Sequence, residues 1–193
     1  MKKEELDLNH PDALKFNIFM SNGQLGLITS QSADTSIKTI FAVGWVGPIS
    51  FAPFLLYASI GNGKTKDDIM AYRYSYSIIK STGVFGFNIP TIEMLDIVKK
   101  IGTTHSDEVD KFQDNDLTVF RGKQTKVPLI EECFINVECE IINKMETGDH
   151  DIFIAKPVSL TYNEDVFTDG RFSDNYKDKK NQIHIIDALP EYV

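Results

Sequence analysis

The sequence predicts a mainly β fold, an antiparallel β-barrel with a few inserted helices. Short apolar segments rich in β-branched and aromatic residues outnumber the helical segments, and the helical segments fall in one block between strands. A regular alternation of strand and helix, which indicates a parallel sheet, does not occur in the pattern. The 193 residues are 42% hydrophobic and 25% charged, so the chain can bury the core of one domain.

The composition argues against several classes of protein. Asp and Glu number 28 against 20 Lys and Arg, and a net charge of -8 disfavours general nucleic-acid binding, which depends on many phosphate contacts. Two cysteines and four histidines, without metal-ligand spacing, predict neither a disulfide scaffold nor a metal site. The first twelve residues lack the apolar segment of a secretory signal, so we expect a cytoplasmic protein.

Residues 39–63 contain no charged side chain and are numerous enough to cross a bilayer as a helix. Pro48 and Pro53 lie in the middle of this stretch, and a membrane helix through both would lose hydrogen bonds that no water could replace. We therefore predict two buried strands, residues 39–45 and 54–60, joined by an irregular segment, and no membrane span.

The same signals predict four further strands along the chain. They cover residues 26–30, 84–90, 132–142 and 152–162. We predict one domain over residues 1–193, with its core at about residues 22–163 and a polar tail at 164–193.

Two helices are predicted between the strands. The first covers residues 75–81, with Ser75 as its N-cap and Gly83 just past its end, because serine caps helix starts and glycine tolerates the left-handed conformation that ends them. The second begins after Thr91 as N-cap, runs to about residue 100, and ends at Gly102. The polar residues 103–116 carry at most one more short helix.

The segment GNGKT, residues 61–65, follows an apolar strand and partly matches a phosphate-binding P-loop. A P-loop requires a glycine at position 58, where this chain has Ala58, and a parallel strand–helix unit around it. We therefore favour a flexible loop here and keep a P-loop nucleotide-binding protein as a distant alternative.

Cys133 and Cys139 fall in one predicted strand, where alternation places both on the apolar face and Asn136, Glu138 and Glu140 on the other. Six residues of strand hold the two sulfur atoms about 20 Å apart, too far for a disulfide. We expect both cysteines to be small core residues.

Two positions are candidates for ligand contacts. Arg73 stands just before the predicted helix start at Ser75, and a cation beside free backbone N–H groups suits a phosphate. His150 lies in a Gly-Asp-His turn that leads into the last long strand. A structural role, in which the side chain bonds to the backbone of the turn, and a functional role are equal alternatives for this residue.

Taken in order, several segments resemble the flavin reductase-like, FMN-binding split-barrel family, in particular its flavoredoxin branch. They span about residues 26–163 and read AVGWVGPISFAPFLLYASI, RYSYSIIKSTGVFGFNIP, EVDKF, VPLIEECFINVECEI and GDHDIFIAKPV. The loop at residues 61–71 is longer and more charged than is usual in that family, and the tail after residue 163 matches it poorly. The resemblance implies that the predicted barrel is an antiparallel split β-barrel.

The resemblance also implies a noncovalently bound FMN near the subunit interface of a homodimer. It places the isoalloxazine ring against Ala42, Val43, Gly44 and Trp45, largely through backbone groups, and His150 near the face where a nicotinamide docks. Further contacts, with the phosphate, the ribityl chain or the ring, are implied for Ser59, Arg73, Tyr74, Ser75, Asn88 and Lys111.

The activity that the resemblance implies is that of an NAD(P)H:flavin oxidoreductase, in which the cofactor carries the chemistry and no catalytic side chain is expected. The alternative is a flavoredoxin-type electron carrier without NAD(P)H activity of its own. The residues alone leave both open, because the chain has no separate nicotinamide-binding motif.

Overall fold

The computed structural model describes residues 23–63, 74–169, 171–174, 178 and 181–184. Its main feature is a seven-stranded, wholly antiparallel sheet with the strand order β2-β1-β5-β8-β9-β4-β3. The strands of this sheet are β1 (Gly26–Gln31), β2 (Lys38–Val43), β3 (Val46–Phe51), β4 (Phe54–Gly61), β5 (Val84–Ile89), β8 (Ile135–Glu146) and β9 (His150–Tyr162).

The remaining elements are short and lie outside the main sheet. Two two-stranded ribbons are formed by β6 (Val119–Arg121) with β7 (Pro128–Ile130), and by β10 (Phe167–Thr168) with β11 (Arg171–Phe172). The helices are α1 (Tyr74–Thr82) and α2 (Leu95–Thr103), with single 3-10 turns at Ile92–Met94 and Gln113–Asn115. Within the described residues, no helix is long and apolar enough to span a membrane.

The sheet has to curl into a barrel because its two edge strands are consecutive in the chain. Only Gly44 and Trp45 separate β2 from β3, and such a link spans at most about 11 Å. Seven strands laid flat would hold their edges roughly 29 Å apart. The antiparallel pairings also make β2 and β3 run in the same direction, so they are successive parts of one bent strand. The first part pairs with β1 and the second with β4, which splits the barrel at the bend.

Apolar side chains from all seven strands fill the interior of the barrel, and α1 adds Ile79 to them. One fully or nearly fully buried representative from each strand, in chain order, is Ile28, Phe41, Val46, Ala58, Phe85, Val137 and Phe153. A core shared by every strand holds the barrel together without depending on any single hairpin.

A second apolar cluster lies on the outer side of β1 and β2, beneath α2. Leu27 and Ile40 alternate along these strands with the inward-facing residues, and Ile101 of α2 packs against them. Ile183, from the C-terminal segment, is fully buried in this cluster, and its carbonyl accepts the N–H of Leu25 at 2.8 Å. Part of the predicted polar tail therefore packs against the barrel.

The six strands predicted from the sequence are confirmed as β1, β2, β4, β5, β8 and β9, with ends shifted by a few residues. The irregular segment predicted between residues 45 and 54 is wrong, because it forms β3. Pro48 is compatible with this strand since β3 is an edge strand and its register shifts just after Pro48. A missing N–H is tolerated at such a position. The short strands β6, β7, β10 and β11 are not predicted from the sequence.

Both predicted helices exist, but their ends differ from the prediction. Ser75 lies inside the first turn of α1 and is not its N-cap, whereas Gly83 follows α1 with a φ of 71°, as predicted. Thr91 is the N-cap of the 3-10 turn that continues into α2, although its side chain makes no capping bond, and Gly102 lies inside α2 instead of ending it. Burial of the neighbouring Ile101 outweighs the roughly 1 kcal/mol that glycine costs within a helix.

The two cysteines are buried, as predicted, but they do not share one face of a strand. Cys133 precedes β8 and packs in the second cluster, while Cys139 lies on β8 and faces the barrel interior. Burial raises the pKa of both thiols. The opposite face of β8 is buried too, since Asn136 and Glu138 are each less than 5% exposed.

Glu138 is held by the turn between β6 and β7. Its carboxylate accepts the N–H groups of Lys123 at 2.6 Å, Gln124 at 3.0 Å and Thr125 at 2.6 Å, and the Thr125 hydroxyl at 2.8 Å. Burial by itself raises the pKa of Glu138, but these hydrogen bonds outweigh it and hold the pKa below its ordinary value of 4.5. A negative charge is thus stable inside the fold.

We expect Glu138→Gln to lower the free energy of unfolding at neutral pH by about 1–3 kcal/mol, because an amide nitrogen would face backbone donors. A lowered folded pKa contributes stability above the ordinary pKa and loses it as the pH falls through the folded pKa. Urea unfolding of both proteins at about pH 7 and about pH 3 measures this, and the difference between them should shrink in acid. An equal difference at both pH values would contradict the role of the charge.

Candidate functional site

The predicted ring-binding residues lie at the bend where β2 passes into β3. The carbonyl of Trp45 accepts the N–H of Ser59 on β4 at 2.8 Å, and this hydrogen bond fixes the bend against β4. The carbonyl oxygen of Gly44 lies 2.5 Å from where a Cβ on Gly23 would stand, so only glycine at position 23 permits this close approach. The structure thus brings Gly44, Trp45 and Ser59 together.

The side chains of Ala42 and Val43 point into the two apolar clusters, Val43 into the barrel and Ala42 towards α2. In the part of the chain that the structure describes, β2 is an edge strand and pairs with β1 only. Alternate residues of an edge strand turn their backbone N–H and C=O groups away from the partner strand, and on β2 the Ile40 carbonyl accepts the hydroxyl of Ser106 at 3.2 Å. The backbone contact with a ligand that the resemblance implies at positions 42 and 43 stays a prediction.

The ring of His150 packs against the ring of Trp45 at this bend. His150 begins β9 opposite Gly61, and its ring centroid lies 4.8 Å from that of Trp45, with a tilt of 52°. The nitrogen Nδ1 is buried and makes no hydrogen bond, although a carboxylate oxygen of Asp149 stands 3.1 Å away, out of line for one. A buried polar atom of this kind is costly unless an external partner satisfies it.

The predicted phosphate contacts lie at the start of α1. Tyr74 and Ser75 occupy the first turn, where backbone N–H groups have no partner within the helix. Ser75 as a whole is 2% exposed. Arg73, the cation expected beside them, lies outside the described residues.

The P-loop alternative finds no support in the fold. Positions 58 and 61, which would both have to belong to the loop, are part of β4, where Ala58 pairs with Phe153 and Gly61 with His150. All strand pairs among the described residues are antiparallel, whereas a P-loop needs a parallel strand followed at once by a helix.

Asn88 has a structural role where the resemblance implies a ligand contact. It is fully buried, and its Nδ2 donates to the Leu27 carbonyl and the Thr29 hydroxyl, both at 3.1 Å. Its Oδ1 accepts the N–H of Ile130 at 3.2 Å and Nδ2 of Asn136 at 2.9 Å. These four bonds use the full capacity of an amide and join β5 to β1, β7 and β8.

Lys111 is likewise occupied inside the protein. Its side chain is 3% exposed, and Nζ donates to the carbonyl of Ile101 at 2.8 Å. This places the ammonium group at the C-terminal end of α2, where a cation interacts favourably with free carbonyls. Asn88 and Lys111 are thus both engaged by partners inside the protein, and their contact with a cofactor stays a prediction.

A polar cluster that the sequence analysis misses is centred on Asp151. This residue is fully buried, and its carboxylate accepts Nδ2 of Asn62 at 2.7 Å, the hydroxyl of Tyr76 at 2.6 Å and Nζ of Lys144 at 2.9 Å. Period-two alternation from Phe153 already places position 151 inside the barrel. An acidic residue at an inward-facing position is the signal that could have found the cluster.

The charges of this cluster are mutually stabilised. Burial by itself raises the pKa of Asp151, but the hydrogen bonds from Tyr76, Asn62 and Lys144 outweigh it and hold the pKa at about 2. Burial and the bond to Asp151 raise the pKa of Tyr76, and bonds to Glu146 and Asp151 raise that of Lys144. At neutral pH the carboxylate is therefore charged and its partners keep their protons.

With this geometry established, comparison with known proteins assigns the family. The flavin reductase like domain family matches residues 21–178, and the chain belongs to it. An uncharacterized protein of Archaeoglobus fulgidus is 38% identical over 138 residues, which are 72% of each chain.

Solved structures confirm the split-barrel fold. The flavoredoxin of Methanosarcina acetivorans superposes with a TM-score of 0.72 at 21% identity, over 90% of this chain and 82% of that one. The FMN-binding protein of Thermus thermophilus, solved with 1-cyclohex-2-enone, gives a TM-score of 0.71 at 21% identity, over 89% and 86%.

We expect Asn88→Ala to lower the free energy of unfolding by about 2–5 kcal/mol, because it leaves buried donors of Ile130 and Asn136 without an acceptor. Urea denaturation followed by circular dichroism measures the loss. The exposed Asn143→Ala is the matched control and should change stability by less than about 0.5 kcal/mol. A loss no larger than the control's would show that the four bonds do not carry this role.

Proposed function

We propose that this protein binds FMN noncovalently and transfers electrons from NAD(P)H to the bound flavin and then to an acceptor. The observation that carries the proposal is the bend at Gly44 and Trp45, where the outer edge of β2 has no strand partner among the described residues. Beside the bend lies the buried Nδ1 of His150, which makes no hydrogen bond and stands 3.1 Å from the carboxylate of Asp149. The matched family and the FMN-binding neighbour support the choice of cofactor.

The ring end of this site fits an isoalloxazine. Such a ring has apolar faces and a polar edge of carbonyl and N–H groups, so it needs apolar walls and an array of backbone donors and acceptors. The outer edge of β2 at Ala42 and Val43 supplies the backbone groups, and the rings of Trp45 and His150 supply the wall. His150 Nδ1 adds one fixed polar contact on the side where the nicotinamide docks in our proposal.

The phosphate end fits a dianion at the start of α1. In our proposal the phosphate binds the first N–H groups of α1, at Tyr74 and Ser75, because such groups have no partner within a helix and the helix dipole favours negative charge there. In our proposal Arg73 adds a charge-assisted bond. A net charge of -8 does not oppose this, because the local field decides binding at close range.

When bound, FMN would supply the group that accepts a hydride, and this chemistry requires no nucleophile from the protein. The chain's own residues orient the ring, hold its polar edge and exclude water. In our proposal the bend, His150 and the start of α1 supply these binding groups.

The second candidate is an electron carrier without NAD(P)H activity. The superposition on a flavoredoxin favours it as much as the family match favours a reductase. Both candidates use the same cradle, so only the reaction with nicotinamide separates them.

We expect the purified protein, saturated with FMN, to show the absorbance of an oxidised flavin near about 450 nm and to release FMN on denaturation, since the cradle holds it noncovalently. Anaerobic mixing with NADH or NADPH in a stopped-flow instrument should bleach this band. If dithionite bleaches the band but NADH and NADPH do not, only the electron-carrier candidate remains. A protein that retains no flavin would overturn both candidates.

We further propose that the protein is a homodimer with FMN near the subunit interface. Ile142 and Met145 are 56% and 51% exposed on the outer face of β8. Met145 pairs with the partly exposed Ile152, and Ile154 follows on the same face of β9. A contiguous apolar strip of this kind typically marks an interaction surface, and a second copy of the chain would cover it.

We expect the protein to sediment at twice the chain mass of 21.8 kDa and Ile142→Glu to shift it towards the monomer, because a charge would be buried at the interface. The same change at Ile37, which is 37% exposed in the turn between β1 and β2, is the control and should leave the dimer intact. A wild-type monomer carrying its full complement of FMN would contradict the proposal.

A further inference from the structure

We propose that Asp151 is a positioning residue that fixes the start of α1, and with it the phosphate end of the site, relative to the ring end. The inference rests on the proposed flavin binding. No group of Asp151 needs to contact the cofactor, because the carboxylate acts through Tyr76 and Asn62.

The carboxylate joins the segments on both sides of residues 64–73. Asn62 follows β4 and donates to one carboxylate oxygen, while Tyr76 in the first turns of α1 donates to the other. Asn62 is also tied to the β8–β9 hairpin, through its N–H to the Asp149 carbonyl at 2.9 Å and its Nδ2 to the Gly148 carbonyl at 3.2 Å. One buried charge therefore sets the distance between the end of β4 and the start of α1.

The two ends of the site depend on this charge to different extents. At the ring end, His150 is held by strand pairing with Gly61, and the Trp45 carbonyl by the N–H of Ser59. These backbone bonds do not involve the side chain of Asp151. At the phosphate end, Ser75 directly precedes Tyr76, so a shift of the tyrosine moves the N–H groups at the helix start.

The stability of the barrel does not by itself require this arrangement. Burying a carboxylate costs several kcal/mol, and well-packed apolar residues of similar volume often stabilise a fold equally well. Lys144, at 2.9 Å from both Asp151 and Glu146, offsets the cost and links the buried carboxylate to the surface. Unlike apolar contacts, hydrogen bonds are directional. The short bonds of the charged cluster therefore fix Tyr76 and Asn62 in one geometry.

The test compares FMN with riboflavin, which has the same ring and no phosphate. Dissociation constants of both flavins are measured by fluorescence titration for the wild type, Asp151→Asn and Tyr76→Phe. We expect Asp151→Asn to reduce the preference for FMN over riboflavin about tenfold, with riboflavin affinity nearly unchanged. Tyr76→Phe, which keeps the ring against Phe153, should change the preference in the same direction.

Glu138→Gln is the matched control. It makes the same change at a second buried carboxylate whose hydrogen-bond partners all lie in the 123–125 turn, so it should leave the preference within about twofold. An unchanged preference in Asp151→Asn, or equal weakening of both flavins, would overturn the positioning role. If Asp151→Asn yields no folded protein, the result for Tyr76→Phe decides in the same way. A wild type that binds neither flavin would overturn the proposed function together with this inference.

Discussion

The short link between the two edges of the sheet is the constraint on which this structure depends. Because only Gly44 and Trp45 join β2 to β3, the seven strands have to close around a common core, and the closure has to split at the bend. The split leaves a backbone edge without a strand partner among the described residues. The feature that closes the fold and the feature that offers a site are therefore the same two residues.

Buried polar groups show where the fold is complete and where it is open to a ligand. Glu138, Asn88 and Asp151 are buried, and each is satisfied by partners within the chain. His150 Nδ1 is buried beside the bend without a hydrogen bond. Among the described residues, Gln24, Glu132 and Thr161 each also hold a buried polar atom without a hydrogen bond, and His150 Nδ1 is the one that stands beside Trp45 at the proposed ring end.

Several features of the fold follow from local pattern. Strand alternation identifies six of the barrel strands, and Gly83 marks the end of α1. Local rules fail where tertiary context dominates. Pro48 is accepted in β3 because that strand is at an edge, and Gly102 remains helical because its neighbour Ile101 is buried. The ordered motifs suffice for the family, which the match over residues 21–178 confirms.

The sequence by itself determined six strands of the barrel, the presence of both helices and the family, because these depend on neighbours in the chain. Only the tertiary structure decided that the amide of Asn88 and the ammonium of Lys111 serve the fold, and that Asp151 organises a charged cluster. The physical reason is that the hydrogen-bond partners of these side chains come from distant parts of the chain. The carboxylate of Asp151 meets Asn62 across 89 positions and Tyr76 across 75, and no local pattern encodes such contacts.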